Sequence, residues 1–124
     1  MAEVRRYTVS AASTETFGRV LCSARNHHMV VDGPEQNGCP GEEVTPVEVF
    51  LAAVAACGVE LVQVIAKSEK LALRKAAVAI TSTQDRSRPV RPDLSLLNSV
   101  QVKFKLEGVS QQEGERLIGA FKQR

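Results

Sequence analysis

The 124-residue sequence has no tryptophan, one tyrosine and four phenylalanines. It therefore offers few stacking platforms for bases, and its 16 Lys plus Arg and 14 Asp plus Glu are spread along the chain. A nucleic-acid surface needs a concentrated cationic footprint, so no nucleic-acid partner is expected. The longest run without a charged residue, Val49 to Val59, covers 11 positions, whereas a membrane-spanning helix needs about 20. No membrane span is expected. The N-terminal MAEVRRYTVS lacks the apolar core of a secretory signal, which makes a cytoplasmic address the default. Cysteine is scarce too: Cys22, Cys39 and Cys57 form no C-x-x-C pair. An odd count without a signal peptide argues against a disulfide framework or a paired zinc site and leaves free or redox-active thiols. His27 and His28 are adjacent, so on a strand they point to opposite faces and cannot both ligate one metal from there. No metal or cofactor is expected.

What is present fits one domain over residues 1–124 with its own core. VRRYTVSA (4–11) alternates as a strand does, and ETFGRVLCSA and HHMVVD read as two more strands joined by a hairpin through Arg25 and Asn26. Cys22 on the second of these reads as a small buried hydrophobe. Residues 32–43, DGPEQNGCPGEE, form a turn-rich loop that carries Cys39. A long helix should begin at Thr45, with Pro46 at its first position and Glu48 closing a capping box, and run to about Lys70. Its first two-thirds are apolar on every side, so a single sheet cannot cover it. Leu73–Thr83 and Asn98–Gly108 read as strands separated by a basic loop with Arg86, Arg88 and Arg91. That loop could attract an anion, or be an exposed mobile connection. A final helix opens on a capping box at Ser110 and Glu113 and presents Leu117, Ile118 and Phe121 at helical spacing. The order strand, strand, strand, helix, strand, strand, helix suggests α+β, a mostly antiparallel sheet packed on a long buried central helix.

Cys57 sits in the middle of that helix, with Ala53, Val54, Glu60 and Leu61 three and four residues away. Burial among Ala and Val, with a carboxylate at i+3, disfavours a thiolate. Glu48 is nine residues away, on the opposite side of one helix. Local sequence therefore reads Cys57 as an inert packed thiol, unless a cation or base is brought from the loop or from another subunit.

The succession NHHMVVDGP, NGCPG, TPVEVFLAAVAAC and GVELVQVIAKSEKL resembles the OsmC/Ohr family of thiol-dependent organic hydroperoxide reductases, in particular its OsmC-like branch. The resemblance runs from about His27 to Gly108. It implies an intertwined homodimer whose central helices are buried in a shared core, which would supply the missing cover. It implies that Cys57 is the peroxidatic cysteine, attacking an organic hydroperoxide and passing through a sulfenic acid. An apolar pocket would favour an alkyl substrate by about 0.8 kcal/mol per buried methylene. Reduction would come from a dithiol, a lipoyl or thioredoxin-type donor.

Three departures accompany it. Val47 stands where the peroxidases carry an acid, with Glu48 one place later as polar partner or as cap. The activating arginine comes from the N-terminal strands, where Arg19 and Arg25 are the candidates, neither in a matching motif. The second cysteine, which in relatives follows a helix like GERLIGAFKQR, would be expected at position 125 as cysteine or selenocysteine, beyond the end of this sequence; a naturally short relative is the alternative. Cys39 is a further candidate resolving thiol. The reading is a thiol peroxidase. Its rivals are a non-catalytic dimer that binds a small hydrophobic ligand and a purely structural dimer.

Overall fold

In a computed structural model, residues 3–93 and 97–123 are described. Residues 94–96 of the expected basic loop, and the end of the chain at residue 124, lie outside them. The elements are β1 (Ser10–Ser13), β2 (Arg19–Ala24), β3 (His27–Asp32), a single 3-10 turn (Glu35–Asn37), α1 (Pro46–Ser68), β4 (Lys75–Thr83), β5 (Ser99–Glu107) and α2 (Gln111–Lys122). The expected α+β order is present, with two separate antiparallel sheets in place of one: β1-β2-β3 and β4-β5. The chain divides into two compact units between Phe50 and Leu51, and α1 runs through the division.

In the first unit, β2 and β3 pair from Arg19↔Asp32 to Ala24↔His27, leaving Arg25 and Asn26 as the two-residue hairpin turn. Arg25 takes φ 55°, the left-handed conformation that tight hairpin turns demand. The strand expected over 4–11 instead starts at Ser10 and pairs with Val20–Ser23. Alternation alone did not place it. Val4, Tyr7 and Val9 are exposed and find no partner strand among the described residues, so their pattern has no ladder to complete.

In the second unit, β4 and β5 keep a single register from Lys75↔Glu107 to Thr83↔Ser99. Ala76, Val78 and Ile80 share the inward face, as their alternation predicts. Phe104 and Leu106 from β5 join them, whereas Val100 and Val102 toward its other end remain exposed. The core is small: Val62 and Ala66 of α1 and Leu117 of α2 are fully buried, surrounded by Ile65, Leu71, Leu73, Ala76, Phe104, Leu106 and Val109. The Phe104 and Phe121 rings meet edge to face, their centroids 5.3 Å apart. α2 begins with the full capping box, Ser110 Oγ accepting from the Glu113 N–H and Glu113 reaching back to the Ser110 N–H.

α1 is buried only along a stripe through Gly58, Val62 and Ala66. The expectation of a helix buried all round is not met within one chain. Ala52, Ala53, Ala56, Cys57 and Glu60 are exposed, and so are Val47, Phe50 and Val64, at 45%, 59% and 51%. Soluble surfaces rarely leave such a contiguous apolar patch bare. By length and hydropathy, 23 residues with a window mean of 2.2, α1 would also pass as a membrane-crossing helix, although its longest uncharged run is short. A core helix passes the same test, and Glu60 in the middle of the exposed stripe would cost about 2.5–3.5 kcal/mol at a bilayer centre.

The helix ends two residues before the expected Lys70, in a Schellman motif. The Leu71 N–H returns to the Ala66 carbonyl at 2.8 Å and the Lys70 N–H to the Lys67 carbonyl at 3.2 Å. Lys70 holds the left-handed position, φ 57°, that glycine normally fills. Lys70→Gly should therefore raise stability by about 0.5–1 kcal/mol in urea unfolding, while Leu117→Ala should lower it by about 2–5 kcal/mol.

Candidate functional site

Asp32, the last residue of β3, is completely buried and ionised. Its Oδ1 accepts from Arg19 Nε at 2.8 Å and its Oδ2 from Arg19 Nη2 at 2.9 Å, a bidentate fork. The same Oδ2 accepts the backbone N–H groups of Glu42 at 3.0 Å and Glu43 at 2.9 Å. The Asp32 N–H donates to the Val44 carbonyl at 2.9 Å. One carboxylate thus closes the loop from Gly33 to Val44 onto the end of the sheet, immediately before α1 begins. Arg19 also donates to Glu42 Oε1 at 3.0 Å, so it faces two carboxylates. The Arg19 guanidinium, followed by the two backbone amides, holds the Asp32 carboxyl far below the usual range, against the cost of burial, and Arg19 is raised in turn.

Arg19, a candidate activating cation, is therefore committed within this cluster, whereas Arg25 is exposed at the hairpin turn. Sequence reasoning missed Asp32 and Glu42. The available signal was an aspartate ending an apolar strand just before a Gly-Pro turn, where a buried acceptor for loop amides is commonly needed.

Cys39 lies over Gly18 and Gly33, whose backbones meet through a Gly33 N–H to Gly18 carbonyl bond of 2.8 Å. A Cβ at either glycine would collide with the Cys39 side chain. Half-buried and held in this slot, Cys39 is a packed thiol, and to act as a resolving residue it would first have to leave it. Gly18 also needs its positive φ of 81° to turn the chain into β2.

Glu48 serves the start of α1. Its Oε1 accepts from both the Thr45 N–H and the Thr45 hydroxyl, each at 2.9 Å. The backbone bond first, then the hydroxyl, hold its carboxyl below the ordinary value. Only the reach-back half of the expected capping box forms, because the Thr45 hydroxyl donates to Glu48 instead of accepting a backbone N–H.

Cys57 belongs to the second unit, and Arg19, Arg25, Cys39 and Glu48 to the first. The expected burial of Cys57 among Ala and Val does not occur: the thiol is exposed. Its neighbour Gly58 takes the buried place instead, where a Cβ would stand 3.2 Å from the Phe104 ring and 3.5 Å from that of Phe121. That packing sets the rotation of the helix and turns Cys57 outward with Ala53 and Glu60. Cys22 is half-buried and lines a cavity of about 120 Å³ with Val9, Ala24, His27 and Met29. His28 Nδ1 lies 2.8 Å from Ser23 Oγ. Among the described residues no three His, Cys, Asp or Glu side chains stand together in a way that could hold a metal.

Solved structures share this architecture. The chain superposes on an OsmC-like protein from Mycoplasma pneumoniae with a TM-score of 0.81 at 16% identity, over 97% of this chain and 82% of that one. It superposes on an organic hydroperoxide resistance protein OsmC from Legionella pneumophila with a TM-score of 0.73 at 19% identity, over 98% and 85%. An organic hydroperoxide resistance protein from Elizabethkingia anophelis gives a TM-score of 0.72 at 18% identity, over 99% and 85%. No protein-family model and no curated protein matches the sequence. The chain has the fold of the OsmC-like and organic hydroperoxide resistance proteins, as the sequence resemblance implies.

The depressed Asp32 carboxyl has a pH consequence. A carboxylate whose folded value lies below its ordinary 3.8 stabilises the fold above that pH, and the contribution is lost as pH falls through the folded value. Urea midpoints should drop steeply below about pH 4. Asp32→Asn should be less stable at neutral pH, with a shallower acid dependence; equal slopes for the two proteins would refute the assignment.

Proposed function

We propose that the chain is an OsmC/Ohr-family thiol peroxidase that reduces organic hydroperoxides through Cys57, working as a cytoplasmic homodimer. The observation that carries this reading is the exposed Cys57 thiol at the centre of the bare apolar stripe of α1, in a chain of this fold. The thiolate attacks the distal oxygen of ROOH; the O–O bond breaks, the alkoxide leaves and takes a proton to become the alcohol, and sulfur is left as the sulfenic acid. A dithiol of the lipoyl or thioredoxin type then displaces water to give a mixed disulfide. Its second thiol releases the Cys57 thiol and closes the donor disulfide.

A second copy covering Val47, Phe50 and Val64 would remove the apolar stripe from water and enclose Cys57 in a dry site suited to an alkyl peroxide. A helix partner is a better cover than lipid here, since Glu60 needs polar company. The thiolate requires a cation. Arg25 has no carboxylate at ion-pair distance among the described residues, whereas Arg19 already holds Asp32 and Glu42.

A second reading, a non-catalytic dimer holding a small hydrophobic ligand, draws support from Glu48, whose carboxylate is taken up by the helix cap, and from Val47 beside it. Consumption of cumene hydroperoxide with a dihydrolipoyl donor separates the two. Wild type should turn over and Cys57→Ser should fall to the uncatalysed rate, with Arg25→Ala slower than Arg19→Lys if Arg25 is the activating cation. Absence of turnover in wild type with either donor type would overturn the peroxidase reading. Light scattering should give twice the chain mass, reduced to the monomer by Ala56→Arg.

A further inference from the structure

Most of the cations of the chain fall in the second unit, and three of them border one cavity of about 330 Å³. Its lining is Gln63, Ala66 and Lys67 from the last turns of α1, and Leu71, Leu73, Arg74 and Lys75 from the link into β4. Ala66, 2% exposed, and the half-buried Leu71 and Leu73 make an apolar floor continuous with the core. The exposed Gln63, Lys67, Arg74 and Lys75 make a polar rim.

None of the three cations has a carboxylate at ion-pair distance among the described residues. Two acids, Glu69 and Glu107, stand on neighbouring segments of the chain. Glu69 pairs with Arg116 at 3.1 Å. Glu107 stands opposite Lys75 in the ladder with no ion pair between them, and its backbone carbonyl accepts the Arg74 N–H at 2.8 Å. Lys67 has a structural role at the negative end of α1. Arg74 and Lys75 lie beyond the helix, so three like charges border one opening without an ion pair among the described residues. The backbone beneath them is fixed, because Gly108, at φ 96°, packs so closely on Ala72 and Arg74 that any Cβ would collide with both. The backbone that carries Arg74 and Lys75 is therefore set before any ligand arrives.

We propose that this cavity binds a small organic carboxylate, its hydrocarbon body against the half-buried Leu71 and Leu73 and its carboxylate between Arg74 and Lys75. The volume is at the small end of ligand pockets. A guanidinium fork matches two carboxylate oxygens, and the apolar floor favours a carboxylate with a hydrocarbon body over a bare inorganic anion. The site uses no residue of the proposed thiol chemistry and stands whether or not Cys57 is catalytic.

Backbone amide NMR titration of the full chain tests it with three probes: benzoate, its neutral counterpart benzyl alcohol, and inorganic phosphate. Benzoate should give saturable shifts over residues 63–75, with affinity lowered about 10-fold or more in Arg74→Gln and in Lys75→Gln. Four outcomes would each overturn the proposal: no saturable shift there in wild type, equal affinity for benzyl alcohol, equal affinity for phosphate, or unchanged affinity in both variants. A response to benzoate confined to the neighbourhood of Cys57 counts as no shift at this site.

Discussion

The buried carboxylate of Asp32 is the constraint on which the first half of the fold depends. A charge removed from water must be met by fixed partners, and here the partners come from two places: the guanidinium of Arg19, its ladder partner on β2, and the amides of Glu42 and Glu43 at the far end of a loop. Satisfying one side chain therefore decides where a glycine-rich loop returns. The loop in turn delivers Thr45 to the point where α1 starts, and Glu48 completes that start. The Cys39 slot belongs to the same arrangement, since Gly18 immediately precedes Arg19 and Gly33 immediately follows Asp32. Backbones on both sides of the ion pair approach closely, and the small gap left over glycine is filled by a thiol.

The second half depends on packing. Three fully buried side chains, Val62, Ala66 and Leu117, anchor a core whose remaining members are only partly covered. Such a core is modest for the chain length. The outer stripe of α1 and the Val100–Val102 end of β5 leave further apolar surface bare. An incomplete core and a bare apolar helix face have the same physical remedy, burial against additional protein, and each is the more costly without it.

Much of this order is legible in the sequence, for identifiable reasons. The β2–β3 hairpin, the inward face of β4 and the Ser110 cap follow from alternation and from short-range hydrogen-bonding chemistry, and they stand where expected. The N-terminal strand is displaced because alternation over 4–9 specifies a face without supplying a partner ladder. The end of α1 departs by two residues because Lys70 accepts a left-handed conformation that composition did not advertise. The Asp32 cluster escaped notice because two of its donors are loop amides 10 and 11 positions on, which carry no side-chain signature, and the third, Arg19, meets it across the β2–β3 ladder; its one local sign is an aspartate before a Gly-Pro turn. Cys57 was misjudged because a helix apolar on every side hides its own orientation. Only the fit of Phe104 and Phe121 against Gly58 reveals which side turns inward.

That last point changes how the thiol is to be understood. Had Cys57 occupied the position of Gly58, it would have been sealed beneath two aromatic rings, and desolvation would have favoured the neutral thiol. One residue corresponds to about 100° of helix rotation, and that rotation puts the sulfur on the accessible stripe beside Ala53 and Glu60. Accessibility alone does not make a nucleophile, because neither Ala53 nor Glu60 stabilises a thiolate. The helix therefore supplies presentation, and any activation of the sulfur would have to come from groups that α1 does not carry. The small residue at 53, one turn before Cys57 on the same face, leaves room beside the sulfur for such groups to approach. The same smallness that makes the stripe poor at stabilising charge makes it suited to close contact with whatever supplies one.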